Sequence, residues 1–160
     1  MTFVLTNPAW TIDFKVCSFA ELSLLELYHL MALRQEVFVV EQDCPYLDAD
    51  GKDFASFHVL GYQGNELLAY TRIVPPGISY PSYSSIGRVV TAGSARRLGL
   101  GKMLMAASIA GCERLYPEQA IKISAQTYLL DFYQGFGFAP VGEGYLEDGI
   151  PHQGMVRPSS

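Results

Sequence analysis

A basic, glycine-containing turn at Arg96–Lys102 constrains the fold of this 160-residue chain more than any other segment. The apolar run 86–90 precedes the turn, and a helical pattern over residues 99–116 follows it. Glycines let a backbone approach a phosphate closely, and the first N–H groups of a helix have no partner within the helix. The helix dipole also favours negative charge at that end. The order strand, turn and helix therefore predicts an α/β arrangement that binds a phosphorylated ligand.

Two common phosphate motifs do not fit this turn. A P-loop places Ser or Thr after its Gly-Lys pair, but Met103 follows Lys102 here. The dinucleotide-binding fingerprint needs a third glycine at position 104, which is Leu104. An ordinary capped surface turn stays open as an alternative. The spacing that does fit is R-x-x-G-x-G, formed by Arg96, Gly99 and Gly101.

Length, charge and cysteine content limit the remaining classes of protein. A chain of 160 residues has the length of a single domain, 1–160. Its formal net charge of −5 argues against nucleic-acid binding, which needs a basic surface. No apolar run approaches the ~20 residues of a membrane span, and the N-terminus lacks the basic and apolar regions of a secretory signal. The cysteines, Cys17, Cys44 and Cys112, show no C-x-x-C spacing, so we expect no disulfide framework, no bound metal and a cytoplasmic location.

Hydrophobic periodicity predicts seven strands and three helices. Ser18 and Glu21 have the spacing of a capping box, which predicts the start of the first helix. The predicted strands cover residues 11–17, 57–62, 67–74, 85–91, 120–125, 136–141 and 154–157. The predicted helices run from residue 18 to about 40, from 99 to 116 and from 127 to 135, and loops are expected over 42–55 and 142–153. This order predicts a mixed α/β (α+β) sheet with helices on its faces.

A second motif lies about thirty residues after the turn. Gln126 is followed seven positions later by Tyr133 and then by Gln134–Phe138, which is similar to a short helix ending in F-Y-x-x-x-G-F. Together the two motifs resemble the GCN5-related N-acetyltransferase (GNAT) superfamily. The segments 34–51, 86–90 and 147–152 further resemble the bacterial ElaA family. The resemblance implies the GNAT acyl-CoA N-acyltransferase fold, with a mostly antiparallel twisted sheet and helices on both faces.

The resemblance implies acetyl-CoA as cosubstrate and points to three segments that bind it. Backbone amides of the basic turn bind the pyrophosphate, and the arginine and lysine side chains there add positive charge. The strand before the turn splays from its neighbour, so that its free backbone groups bind pantetheine and one N–H polarises the thioester carbonyl. Gly93 and Gln126 depart from the superfamily pattern, in which proline and asparagine are common at these positions. The implied cofactor-binding residues are Val89, Val90, Thr91, Arg96, Arg97, Leu98, Gly99, Leu100, Gly101, Lys102 and Gln126.

Three residues are candidates for the proton transfers of such a reaction. Tyr133 is the implied general acid, because a phenol with a pKa of about 10 is protonated at neutral pH; a core aromatic is the structural alternative. Glu41, at the end of the first helix, is a candidate base that acts directly or through a water. His58, on a strand, is a second candidate base, since histidine titrates near neutral pH, and a structural role is its alternative.

Two acidic loops are expected to flank the acceptor channel. Asp48 and Asp148 represent them as candidate substrate-binding residues, together with His152. Acidic walls would concentrate a cationic amine, whereas a solvated turn is the alternative for the first loop. A calcium loop is excluded there, because an EF-hand needs Gly at position 6 and Glu at position 12.

The sequence thus predicts an N-acetyltransferase that uses acetyl-CoA. It would act on a primary amine of an unidentified, cationic acceptor by direct attack in a ternary complex. A non-catalytic acyl-CoA-binding sensor or interaction module on the same fold is the alternative. The expected partner is a small-molecule or peptide amine, with no nucleic acid and no membrane, and a homodimer is left open.

Overall fold

Eight strands form one continuous sheet in the computed structural model, which describes residues 1–160. The order of the strands across the sheet is β1-β2-β3-β4-β5-β6-β8-β7. Every neighbouring pair is antiparallel except β5 and β6, which are parallel. This confirms the predicted mixed, mostly antiparallel sheet. The strands are β1 (Thr2–Thr6), β2 (Thr11–Ser18), β3 (Phe57–Gln63), β4 (Glu66–Val74), β5 (Ser84–Thr91), β6 (Ile121–Gln126), β7 (Ala139–Glu147) and β8 (Ile150–Arg157).

Helices cover both faces of this sheet. The helices are α1 (Leu24–Arg34), which continues as a π-helical segment over Gln35–Glu41, α2 (Leu100–Leu115) and α3 (Leu130–Gln134). Because side chains alternate along a strand, neighbouring residues of one strand pack on opposite faces. Val16 of β2 packs in the core beneath α2, whereas Cys17 packs beneath α1. No helix combines the length and the apolar composition that a membrane crossing requires.

The first helix begins later than its sequence pattern predicts. The capping box of Ser18 and Glu21 is present, but it caps a single 3-10 turn, after which Leu22 is extended. A second box follows, in which the backbone N–H of Glu26 donates to the Ser23 hydroxyl at 3.0 Å. Helix α1 starts there, because only this box leads into the long apolar-periodic run.

The predicted loop over 142–153 is wrong, since this segment forms most of a β-hairpin. Strand β7 runs to Glu147 and β8 begins at Ile150. Asp148 and Gly149 connect them with positive φ angles of 51° and 76°, as a two-residue turn between twisted strands requires. Strand β7 is exposed at the edge of the sheet and bulged after Val141, so its many glycines and acids conceal the strand pattern. The edge strand β1 was also not predicted.

The position of the candidate site follows from how β5 meets β6. These strands pair only at Ser84 with Ile121 and at Ser85 with Lys122. Beyond Ser85 they separate, while β5 continues to pair with β4 on its other side. Helix α2 follows the carboxyl end of β5, and α3 follows β6. The sheet therefore opens into a wedge, with a helix start at one end and α3 on one side.

Candidate functional site

The wedge between β5 and β6 contains a cavity of about 740 Å3. This volume is within the range of small-molecule sites. Residues far apart in the sequence meet there, from the end of the first helical segment to the β7–β8 hairpin. The predicted site residues that line the cavity are Glu41, Val89, Val90, Thr91, Arg96, Gln126, Tyr133, Asp148 and His152.

The basic turn supplies unpaired backbone donors next to this cavity. Gly99 immediately precedes α2 and adopts the left-handed conformation, with φ of 81°. Arg97, two residues earlier, is also left-handed, with φ of 74°. The N–H groups of residues 99–102 donate to no acceptor within the protein, and the first helical bond comes from Met103 to the Gly99 carbonyl at 3.2 Å. Asn7 braces the turn through a 3.0 Å hydrogen bond to the Leu98 carbonyl. These four amides at the start of a 16-residue helix can bind an anion.

The edge of β5 that faces the wedge has no strand partner over residues 89–91. Val90 and Thr91 pair with Tyr70 and Ala69 of β4 on one side, but no residue of β6 pairs with them on the other. Gln126 ends β6 across the wedge. An extended amide-containing ligand can therefore pair with β5 as an additional strand would.

Tyr133 lies on α3 and lines the cavity from the side of β6. Phe132 and Phe138 pack edge-on against its ring, with centroid distances of 5.2 and 6.1 Å. The side chain is almost fully buried, and burial raises the pKa of its phenol to about 12. Tyr133 is thus both a core aromatic and a cavity residue whose hydroxyl is protonated at neutral pH.

Glu41 lines the cavity but is not a free carboxylate. Both of its oxygens accept hydrogen bonds from the Arg96 guanidinium, one of them at 3.0 Å from Nη2. The Arg96 hydrogen bond holds the pKa of Glu41 below its ordinary value. A low pKa makes a weak proton acceptor, so the geometry favours a role in which Glu41 positions Arg96.

The prediction that His58 is a catalytic base needs correction, because this side chain is fully buried and does not line the cavity. Its Nε2 lies 3.0 Å from the carbonyl of Asp53, which can only accept, so Nε2 donates. Nδ1 then accepts from the Tyr70 hydroxyl at 2.7 Å. Burial lowers the pKa of His58. Both ring nitrogens are used in the core, and the role of His58 is structural.

The prediction that Asp48 contacts the acceptor also needs correction. Asp48 is buried and accepts hydrogen bonds from the Nε atoms of Arg34 and Arg88, both at 2.7 Å, and from the Tyr46 hydroxyl at 3.1 Å. Its carboxylate is buried and already neutralised by two guanidinium groups, which argues against a further ion pair with an ammonium group. The first loop is therefore neither an acidic channel wall nor a solvated turn.

Three arginines that the sequence analysis did not single out neutralise this loop. Arg34 also pairs with Asp53 at 2.8 Å, and Arg72 pairs with Asp50 at 2.5 Å. An arginine within an otherwise apolar strand, such as Arg72 or Arg88, is a usable signal, since buried arginines are almost always paired. No group of three or more His, Cys, Asp or Glu side chains comes together in a way that could hold a metal ion.

The β7–β8 hairpin also lines the cavity, through Glu147, Asp148, Ile150 and His152. His152 is buried there, and its Nδ1 donates to the Ile150 carbonyl at 2.7 Å while Nε2 lies 3.3 Å from Glu147. The Tyr145 ring stacks on the imidazole at a centroid distance of 6.2 Å. Asp148 is exposed in the turn at the rim. Of the two predicted acidic walls, only this one keeps carboxylates without an arginine partner.

Comparisons with known proteins agree with this geometry. The family model for the acetyltransferase (GNAT) domain matches residues 48–158. Protein ElaA of Escherichia coli (strain K12) is 43% identical over 148 residues, which cover 91% of this chain and 96% of that protein. The crystal structure of an acyl-CoA N-acyltransferase from Pseudomonas aeruginosa has a TM-score of 0.87 at 43% identity, covering 91% of this chain and 99% of that one. The crystal structure of Escherichia coli ElaA has a TM-score of 0.86 at 42% identity, with the same coverage.

Proposed function

Because the chain belongs to the GNAT acetyltransferase family and is ElaA-like, we propose that it transfers an acetyl group from acetyl-CoA to a primary amine. The observation that carries this proposal is the cavity itself. Its lining combines the unpaired edge of β5 with Tyr133, next to the four free amides of residues 99–102. Such a cavity can hold a thioester, its leaving group and a phosphate-bearing tail together.

The donor lies along β5 in this proposal. The pyrophosphate binds the amides of the turn and the start of α2, with charge from the exposed Arg97 and Lys102. Pantetheine pairs with the free backbone groups of residues 89–91, and Gln126 contacts it from across the wedge. Arg96 approaches the donor in the orientation that its ion pair with Glu41 imposes.

Transfer proceeds by direct attack in a ternary complex. The amine nitrogen attacks the thioester carbon, and the C–N bond forms as the carbonyl oxygen gains negative charge. A backbone N–H of residues 89–91 stabilises this oxygen, an effect typically worth ~3–4 kcal/mol. The C–S bond then breaks, and Tyr133 donates its proton to the departing thiolate. The amine attacks in its neutral form and releases a proton to solvent as the C–N bond forms, and solvent returns a proton to the Tyr133 phenolate, so the general acid is regenerated.

The acceptor enters from the end of the cavity that lies away from the basic turn. We call this the acceptor end, and it is lined by Lys52, Arg72 and Arg88 on its loop wall and by Glu147 and His152 of the hairpin. We place the reaction in the cytoplasm, where the three free cysteines would stay reduced.

Two measurements on the purified protein test the proposal. Calorimetry with acetyl-CoA should show saturable binding, and a panel of small amines and peptides should release free thiol from acetyl-CoA. Failure to bind acetyl-CoA overturns the proposed function. Binding without thiol release across the whole panel would instead favour a non-catalytic acyl-CoA sensor on the same fold.

A further inference from the structure

The loop wall of the acceptor end carries an excess of positive charge. Asp48, Asp50 and Asp53 are matched by three arginines, so their formal charges cancel. Lys52 also lines the cavity, and its Nζ donates to the uncharged Ser79 hydroxyl at 3.1 Å. A cationic acceptor is therefore not attracted to this wall, although the sequence predicts such an acceptor.

Two guanidinium donors at this wall have no partner within the protein. Arg72 is 4% exposed, and its Nε makes no hydrogen bond although its Nη atoms contact Asp50 and Asp53. Arg88 uses Nε and Nη2 on Asp48 and Asp50, which leaves Nη1 unpaired. Arg88 is half-buried and lines the cavity, so its Nη1 can donate to a ligand oxygen at the acceptor end. Arg72 also lines the cavity, but its Nε is itself buried, so Arg72 contributes positive charge there rather than a hydrogen bond from Nε.

The backbone of Arg88 is held in a conformation that suits glycine. Its φ is 52°, in the left-handed region, at a bulge where Arg88 and Val89 together lie opposite Thr71 of β4. Glycine is the usual residue at such a bulge position. A strained non-glycine residue is typical of ligand sites, where the surroundings hold it in place. At this position the chain carries an arginine, whose guanidinium lines the cavity, although glycine would adopt the same backbone conformation without strain.

We propose that Arg88, with the positive charge of Arg72 beside it, binds a carboxylate on the acceptor, which makes the acceptor a small amino acid-like amine. This inference rests on the proposed function and names the substrate class of the same site. Arg88 immediately precedes residues 89–91, which bind the thioester in the proposed function. A carboxylate held there would be a few bonds from the attacking nitrogen. Glu147, which also lines the cavity, can attract the ammonium form as the acceptor enters.

The test compares matched amines in the thiol-release assay. One set contains α-amino acids, β-alanine and γ-aminobutyrate, the second contains the corresponding carboxamides, and the third contains putrescine and spermidine. For the carboxylate compound that reacts fastest, kcat/KM should be about ten times that of the corresponding carboxamide. A difference of this size is typical for the loss of one charge-assisted hydrogen bond. Equal or faster reaction of the carboxamides or polyamines overturns the carboxylate subsite.

The substitution Arg88→Gly sharpens this test, because glycine fits the left-handed backbone. The preference for carboxylate over carboxamide should fall close to one, while calorimetry shows unchanged acetyl-CoA affinity. Arg88→Lys keeps a charge but loses the planar fork, so its preference should be intermediate. Lys52→Met removes positive charge without touching the aspartates and should also lower the preference. Arg114→Ala, at an exposed position on α2, is the matched control and should keep the wild-type preference.

Two outcomes separate this inference from the proposed function. Suppose that the wild type binds acetyl-CoA but no carboxylate compound reacts, and that no N-acetylated amino acid binds the CoA complex in calorimetry. The carboxylate subsite is then wrong, while donor binding stands. Loss of acetyl-CoA binding itself would contradict the proposed function instead. A carboxylate preference that survives in Arg88→Gly would also overturn the assignment to Arg88.

Discussion

Glu41 and Arg96 are 55 positions apart in the sequence, and a two-pronged ion pair joins them beside the cavity. The pair connects the end of the π-helical segment after α1 to the start of the basic turn before α2. Each partner thereby fixes the orientation of the other. A carboxylate held by a guanidinium accepts a proton poorly, which argues against Glu41 as the general base; within the proposed function, Glu41 instead orients Arg96 toward the donor.

Replacing Glu41 with Gln should therefore weaken donor binding more than it slows chemistry. We expect the KM for acetyl-CoA to rise about two- to fivefold, the range for an exposed ion pair, with kcat close to that of the wild type. Steady-state kinetics over a range of pH measure both quantities. A large loss of kcat together with a changed acidic limb of the pH profile would restore Glu41 as the general base.

Tyr133→Phe removes a hydroxyl and leaves the packed ring. We expect kcat to fall at least about 100-fold, which is typical for the loss of a general acid. The Kd for acetyl-CoA should stay within about twofold, because Phe keeps the contacts with Phe132 and Phe138. Rapid-quench kinetics and calorimetry provide the two numbers. Parallel losses of kcat and of acetyl-CoA affinity would mean that Tyr133 serves the fold or the donor rather than the leaving group.

The alkaline behaviour of the reaction follows from the burial of Tyr133. Burial raises the pKa of its phenol to about 12, so the proton donor persists well above the ordinary range of tyrosine. We therefore expect no loss of kcat from phenol ionisation between pH 8 and about 10.5. Single-turnover rates at saturating substrates measure this directly. A fall in rate with an apparent pKa near 10 would indicate a solvent-exposed phenol.

Arg34→Met should destabilise the fold strongly. Arg34 is fully buried between Asp48 and Asp53, and its removal takes one of two arginine partners from each of these buried carboxylates. Such losses typically cost about 3–5 kcal/mol of unfolding free energy. Urea denaturation measures the change, with the exposed Arg114→Ala as the control. A loss below about 1 kcal/mol would show that the cluster contributes little to stability.

The same cluster predicts how stability depends on acid. Hydrogen bonds from Arg72 to Asp50 and from Arg34 to Asp53, with the neighbouring positive charges, hold the pKa of each carboxyl below its ordinary value despite burial. The unfolded chain then binds more protons in acid, so stability rises with pH there. The contribution is complete above about pH 4, the unfolded pKa of Asp, and is lost as the pH falls further. Urea midpoints between pH 2 and 6 should show this slope, and Asp50→Asn should make it shallower.

Local patterns located Arg96 and Tyr133, which line the cavity, but did not reveal the environment of Asp48. The basic turn and Tyr133 lie in short segments, where spacing and helix geometry are set by neighbours in the sequence. The environment of Asp48 instead depends on Arg88, which lies 40 positions away in the sequence. A pattern of neighbouring residues cannot reveal a contact between residues so far apart. His58 fails for the same reason, because its burial is a property of the sheet and not of the strand that carries it.

The strand assignments divide in the same way. Strands of the sheet interior, such as β3 and β4, have apolar runs and were predicted within one residue at either end. Strand β7 is exposed along its whole length, so no face of it needs to be apolar. The Asp148–Gly149 pair was the remaining hairpin signal, because both residues accept positive φ. The Asp-Gly pair would have indicated this hairpin, whereas the hydrophobic pattern led to the prediction of a loop.

Because only two residue pairs join β5 and β6, the width of the cavity between these strands must be set by other contacts. A ladder of backbone bonds cannot fix the angle between strands that share so little pairing. The two sides of the sheet are held instead by one interlocking core, in which Ile121 and Ile123 of β6 pack with Leu104 of α2. The fit of the cofactor is therefore tuned by side-chain volume in the interior. Substitutions that no ligand atom touches can widen or narrow the groove in which coenzyme A would lie.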